Sequence, residues 1–224
     1  MGRANAESWR ITSAVASATL HATLFLRDAF HLKPDDESVI PPRLVGEVPD
    51  LSALVSNLDV REAAIAWTPW FERALDFECD SLVESPDVGT SRDRDRAGFF
   101  DPPEFSSLWA WPALRSVARA AHREALRWSK FHATWSNDAL RHALRDSAVA
   151  SVAWETCAAL HVSPSRIRAS ILVLDVEGEW TTYPRPGLLV CSANVLRREA
   201  LLHDALRETF LQTLNEELGG SGPH

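Results

Sequence analysis

The run Ile171-Leu172-Val173-Leu174 does most to limit what this chain can become. It is short, apolar and partly β-branched, and the turn pair Glu177-Gly178 follows it, which is the pattern of a buried strand. Trp180 to Tyr183 is placed to pair back with it. Pro184 to Gly187 forms a second turn, and Leu188 to Val190 a third short strand. Ser192 or Ala193 then opens a helix in which Val195, Leu202, Leu206, Phe210 and Leu214 hold one apolar stripe until Gly219 stops it. Arg168 to Leu218 is thus a strand, turn, strand, helix unit.

Everything before Pro164 reads as helical. A first helix is expected from Glu7 to His31, capped by Asn5, with Trp9 ahead of Ile11, Val15, Ala18, Ala22, Phe25 and Ala29, which follow one another at spacings of three and four. Lys33-Pro34 ends it, and the Pro- and acid-rich connection Asp35 to Pro49 follows. A short helix from Asp50 to Leu58 leads to Asp59 and Glu62, a capping-box pair opening a helix toward Phe77 that Pro69 should kink. Asp101-Pro102 and Trp111-Pro112 both read as helix starts, proline being tolerated at the first helical position. The second starts a long helix to about His132, and another runs from Trp135-Ser136 to Leu160, with Leu140, Leu144, Val149, Val152 and Leu160 toward one face.

The expected fold class is therefore α+β, predominantly α-helical, with a small antiparallel β-sheet near the C-terminus followed by a long terminal helix. The N-terminal helical region covers residues 1–84. The polar stretch 85–98 (SPDVGTSRDRDRAG) reads as a mobile loop or linker. Residues 99–218 form one domain with the first region, and 219–224 is a disordered tail.

At 46% apolar residues the 224-residue chain can bury a substantial core. A net charge of -8 argues against non-specific coating of nucleic acid or anionic membrane, which depends on summed positive charge. The charge is unevenly spread. Between Ala113 and Arg145 stand Arg115, Arg119, Arg123, Arg127, Lys130, Arg141 and Arg145 against only Glu124 and Asp138, and such asymmetry favours a face that meets a partner. Cys79, Cys157 and Cys191 are odd in number and form no CxxC pair, so neither a disulfide framework nor a cysteine zinc site is indicated, and a reducing compartment, the cytoplasm, is expected. His21, Arg27 and Asp28 interrupt the apolar N-terminal stretch well short of the ~18 residues a membrane span needs.

Cys191 stands where a strand hands over to a helix, a place where free backbone donors and the helix dipole can stabilise a thiolate. The string Leu189-Val190-Cys191-Ser192-Ala193-Asn194-Val195-Leu196-Arg197 has C-x5-R spacing and resembles the phosphate-binding loop of low-molecular-weight tyrosine phosphatases and arsenate reductases. That resemblance, about nine residues long, implies a Cys191 nucleophile and an Arg197 clamp on phosphate oxygens; Asp175, outside the string, would be the acid of such an enzyme, with nothing in the motif to support it. The family has Gly where Ala193 stands and Ser or Thr where Arg198 stands. The other reading of Cys191 is a buried core cysteine at a strand end.

His21, Asp28 and His31 fall within about 80° of arc on the expected first helix, and Glu199 and His203 lie one turn apart on the last. The paired Glu-x-x-His motifs of di-iron bundles do not occur, and no metal or cofactor is expected. Asp138, His142 and Asp146 make a row typical of a solvated face. No Gly-rich phosphate loop, HExxH, GxSxG or dinucleotide fingerprint is found.

Arg115, Arg119, Arg123 and Arg127 each lie one turn beyond the last, opposite Leu114, Val117, Ala118, Ala121 and Trp128. This ridge is either an exposed helix face or a site for phosphates or an acidic surface. Trp67, Trp70, Trp109 and Trp111 cluster beside Pro69 and Pro112, as core residues or as interface anchors. Together these features point to a non-catalytic binding or assembly subunit, acting through a protein partner or as a homo-oligomer. Two alternatives stand beside it: a small cysteine-dependent enzyme using Cys191 and Arg197, and an accessory nucleic-acid-binding protein using the arginine ridge.

Overall fold

Ser17 caps the first helix, and the residues before it form a strand. In the computed structural model, which describes residues 9–34, 40–83, 101–145 and 148–219, β1 spans Arg10–Val15 and α1 spans Ala18–Ala29. The Ser17 hydroxyl accepts a hydrogen bond from Leu20 N at 3.3 Å, satisfying one of the free donors of the first turn. A single helix over 7–31 is therefore not what forms. Ile11, Thr12 and Val15 are β-branched, and β1 pairs in parallel with β2 (Arg168–Leu174) from Arg10↔Arg168 to Val15↔Val173, so tertiary pairing outweighs the helical spacing.

The chain is α+β and mainly helical, with one mixed four-stranded sheet and a long C-terminal helix. β3 (Thr181–Arg185) and β4 (Leu188–Ser192) complete the sheet in the order β1-β2-β4-β3. Only β3 and β4 are antiparallel, whereas β4 lies parallel to β2. The expected antiparallel sheet is thus mixed, and β3 pairs with β4 instead of folding back on β2. β2 and β4 are buried along almost their whole length, as parallel central strands are, and this explains their continuous apolar runs. Pro184 sits on the edge strand β3, where a missing N–H costs no ladder bond. Gly187 closes the β3–β4 turn at φ +75, and an added Cβ would meet Thr213 Oγ1 at 2.6 Å and the Arg168 carbonyl at 2.9 Å.

The remaining helices are α2 (Asn57–Val83), α3 (Pro112–Arg145), α4 (Ala148–Leu160), α5 (Ala193–Arg197) and α6 (Glu199–Gly219). Ser56 caps α2, accepting from Asp59 N at 3.1 Å and donating to Asp59 Oδ2 at 2.7 Å, so the helix opens earlier than the Asp59 start expected. It continues through Pro69, and a short 3-10 turn, Ser52–Leu54, replaces the helix expected over 50–58. Residues Ser106–Leu108 likewise form only a 3-10 turn. α3 runs on past His132 to Arg145 without the break expected at Trp135. The expected last helix is two, because Arg198 adopts extended backbone between α5 and α6. The predicted linker 85–98, Asp146 and the tail beyond Gly219 lie outside the described residues.

The chain divides into two compact units, each drawn from separated stretches. One takes residues 1–15, 136–174 and 178–224 and holds the sheet, α4, α5 and α6. In it α6 packs on α4, β2 and β4 and buries Leu202, Leu206, Phe210 and Leu214. The other takes 16–135 and 175–177. There α1 packs on α2, and α3 buries Leu114, Val117, Ala118, Ala121 and Trp128.

Candidate functional site

Cys191 lies inside β4, paired with Val173 on one side and Thr181 on the other. It has no exposed surface, and burial pushes its thiol up to about 12. Arg197 is exposed on the last turn of the five-residue α5. Ser192, between them, accepts from Trp180 N at 3.3 Å and donates to the Gly178 carbonyl at 2.8 Å, so its hydroxyl secures a turn rather than an anion. A sulfur so placed is a neutral thiol. Cys79 and Cys157 are also buried, so a thiol reagent added to the native chain is expected to label less than one cysteine, and all three after unfolding. Rapid native labelling of Cys191, read by mass spectrometry, would contradict this placement.

The three residues aligned as metal ligands on the first helix go to three different partners. His21 faces Asp175, with Nε2 to Oδ2 at 3.7 Å. Asp28 binds Arg27, and His31 approaches Asp50 at 3.3 Å. His203 on α6 meets Glu155 of α4, also at 3.3 Å.

His21 is buried, with Trp128 6.1 Å away ring to ring. Its Nε2 accepts the Asp175 backbone N–H at 3.2 Å, so that nitrogen carries no proton. Residues 175–177 are held further by backbone bonds from Val45 N to the Asp175 carbonyl and from Glu177 N to the Arg43 carbonyl, at 2.9 and 2.8 Å. Burial lowers the His21 pKa, against the opposing pull of Asp175. A lowered folded pKa means that the unfolded chain takes up the proton more readily. The contribution to stability is present above the ordinary value of 6.5 and is lost as pH falls below it. The urea midpoint should fall from pH 7 to pH 5, and His21→Gln, which can still accept the Asp175 N–H, should flatten that fall. Equal slopes in both proteins would exclude His21 as the cause.

The arginine ridge resolves into unlike members. Arg115 donates from Nε to the Glu104 carbonyl at 2.7 Å and lies over the Trp109 ring at 5.2 Å. Arg127 is neutralised by Glu124, one turn back, with Nη1 2.7 Å from both carboxylate oxygens. Arg119 and Arg123 are exposed and have no ion-pair partner among the described residues. Trp109, Pro112, Arg115, Ser116 and Arg119 line a surface depression of about 400 Å³.

The four tryptophans beside prolines also separate. Trp67 and Trp70 are core residues, Trp111 is half-buried, and Trp109 is 76% exposed. Sequence spacing grouped them, whereas in the structure Trp109 ends the 3-10 turn Ser106–Leu108, with Arg115 over its ring. Comparison with protein-family models, with curated proteins and with solved structures finds no match to this chain.

Proposed function

We propose that this chain is a non-catalytic binding or assembly subunit that acts through an acidic protein surface, using the arginine ridge of α3 and the neighbouring Trp109. The observation that carries it is the pairing of two exposed guanidinium groups, Arg119 and Arg123, which have no ion-pair partner among the described residues, with a tryptophan left 76% exposed. Trp and Arg are the residues most enriched where protein interfaces concentrate their energy, because both combine large contact area with directional polar groups. Arg115 is already oriented by Glu104 and Trp109, which reduces what binding would cost in side-chain entropy. A location in the cytoplasm accompanies this reading and is supported by three buried free thiols. No helix among the described residues is long and apolar enough to cross a membrane.

A fluorescein-labelled polyglutamate peptide tests the proposal by anisotropy. Binding at low salt is expected, weakened at least about tenfold in R119E/R123E and severalfold in W109A, with unchanged thermal melting. A single-stranded oligonucleotide of equal charge is the comparison. If it binds more tightly than the peptide, the protein-partner reading fails in favour of nucleic acid.

A further inference from the structure

We infer that the outer edge of β1 pairs antiparallel with β1 of a second copy of this chain, joining two four-stranded sheets into one. β1 forms one edge of the sheet and β3 the other. Arg10, the register partner of Arg168, donates its N–H to the Ile167 carbonyl at 3.0 Å. Backbone groups alternate sides along a strand, so Arg10, Thr12 and Ala14 bond β2, while the N–H and C=O of Ile11, Ser13 and Val15 point away from it. Those three donors and three acceptors have no hydrogen-bond partner among the described residues. Ile11 to Val15 are also only half-buried. The two edges are built differently. β3 carries Pro184 and a register shift between Thr182 and Arg185, both of which discourage a further strand. β1 has no proline, its register runs unbroken from Arg10 to Val15, and its one charge stands at its start. An edge left open in this way is a template for another strand.

The strand that fits best is β1 itself, because the sequence is complementary to its own reverse. With the two-fold axis at Ser13, the serines of the two copies form a hydrogen-bonded pair and Ile11 of each copy lies opposite Val15 of the other. Every outward N–H and C=O then finds a partner. The cross-strand pairs are β-branched on both sides of two small hydroxyls, a favourable combination in a sheet. The two Arg10 side chains stand about 20 Å apart at roughly 3.4 Å per residue, so no like charges meet. Sliding the register by two residues carries Ile11 or Val15 past the end of the opposing strand and leaves its groups unpaired. A closed two-fold contact of this kind also uses up the edge in both copies, which stops further growth.

Sedimentation velocity and light scattering of the full chain test this. A dimer is expected, and it should persist in about 0.5 M salt because no charged pair holds it. Ser13→Pro removes the central outward N–H but no bond to β2, so it should weaken dimerisation at least about a hundredfold, with circular dichroism and thermal melting verifying the fold. Ser13→Lys and Ser13→Glu each set like charges directly opposite one another and should each be monomeric, whereas their equimolar mixture should dimerise again. That mixture decides the matter even where Ser13→Pro fails to fold. Ser13→Cys, with Cα atoms about 5.5 Å apart across the axis, should give a disulfide-linked dimer on mild oxidation. The wild type, whose three cysteines are buried, should not. A wild type that sediments as a monomer at about 1 mM, or a mixture of S13K and S13E that stays monomeric, overturns the inference. A monomer that binds a synthetic peptide of alternating valine and threonine, and loses it in S13P, also overturns it and assigns the edge to a foreign strand. β1 and the arginine ridge lie in different units, so a monomer that still binds polyglutamate leaves the binding role standing.

Discussion

Replacing Arg27 by methionine is expected to cost about 3–5 kcal/mol of stability, the range for breaking one side of a buried ion pair. The Arg27 and Asp28 side chains are only 6% and 7% exposed. Arg27 donates from Nε to Asp28 Oδ1 at 2.8 Å and from Nη2 to Oδ2 at 3.1 Å. The same guanidinium bonds the carbonyls of Pro41, through Nη1, and of Pro42, through Nη2 at 2.7 Å. Asp28 Oδ2 in turn accepts Leu44 N at 2.7 Å. Methionine matches much of the volume but leaves a carboxylate and two carbonyls short of donors in a dry site. Lysine should recover little, because one ammonium cannot form the fork. The double variant R27M/D28N should regain part of the loss, since it removes the stranded charge. Urea unfolding of the cycle measures this, and an R27M cost below about 1 kcal/mol would show that the clamp contributes little.

Trp67→Ala should cost about as much, roughly 3–5 kcal/mol, by a different route. Trp67 is fully buried, stacks on Phe71 with ring centres 5.0 Å apart, and donates from Nε1 to the Thr23 carbonyl of α1 at 2.8 Å. Alanine would leave a cavity between α1 and α2 and remove the bond joining them. Trp67→Phe separates the two terms: most of the packing stays, the hydrogen bond goes, and a loss of about 1 kcal/mol is expected. Arg27 lies 5.7 Å from the Trp67 ring, so R27M and W67A should not be additive. Equal losses in W67F and W67A would mean that the hydrogen bond, not the packing, carries the effect.

How much of this was readable beforehand depends on where each residue's partner lies in sequence. The α6 stripe and the buried side of α3 followed from spacing alone, because a helix buries residues that are neighbours along it. Within the stripe expected for the helix ending at Leu160, Leu140, Val149 and Val152 are buried, whereas Leu144 and Leu160 stay partly exposed. β1 was missed because its hydrogen bonds go to β2, far along the chain, and its residues also fit a helical spacing. The Cys191 string suggested a helix N-terminus open to an anion. Its position inside β4, between two paired strands, depends on a sheet order that periodicity does not encode. The arginine ridge was legible as a row, but its division depends on the Glu104 carbonyl and Glu124, and Trp109 was indistinguishable from Trp67 and Trp70 by spacing.

The clip that holds Asp175 to Glu177 against His21, Arg43 and Val45 has a consequence for synthesis. On the ribosome, residues 16–135 emerge well before the three residues that complete their unit, and β1 waits as long for β2. Neither unit can finish while its missing piece is still being translated, and such high contact order slows folding. An arrested chain ending near Leu160 should therefore be more protease-sensitive throughout residues 16–135 than one ending at Gly219, with His21 left without the backbone N–H that it accepts in the finished protein.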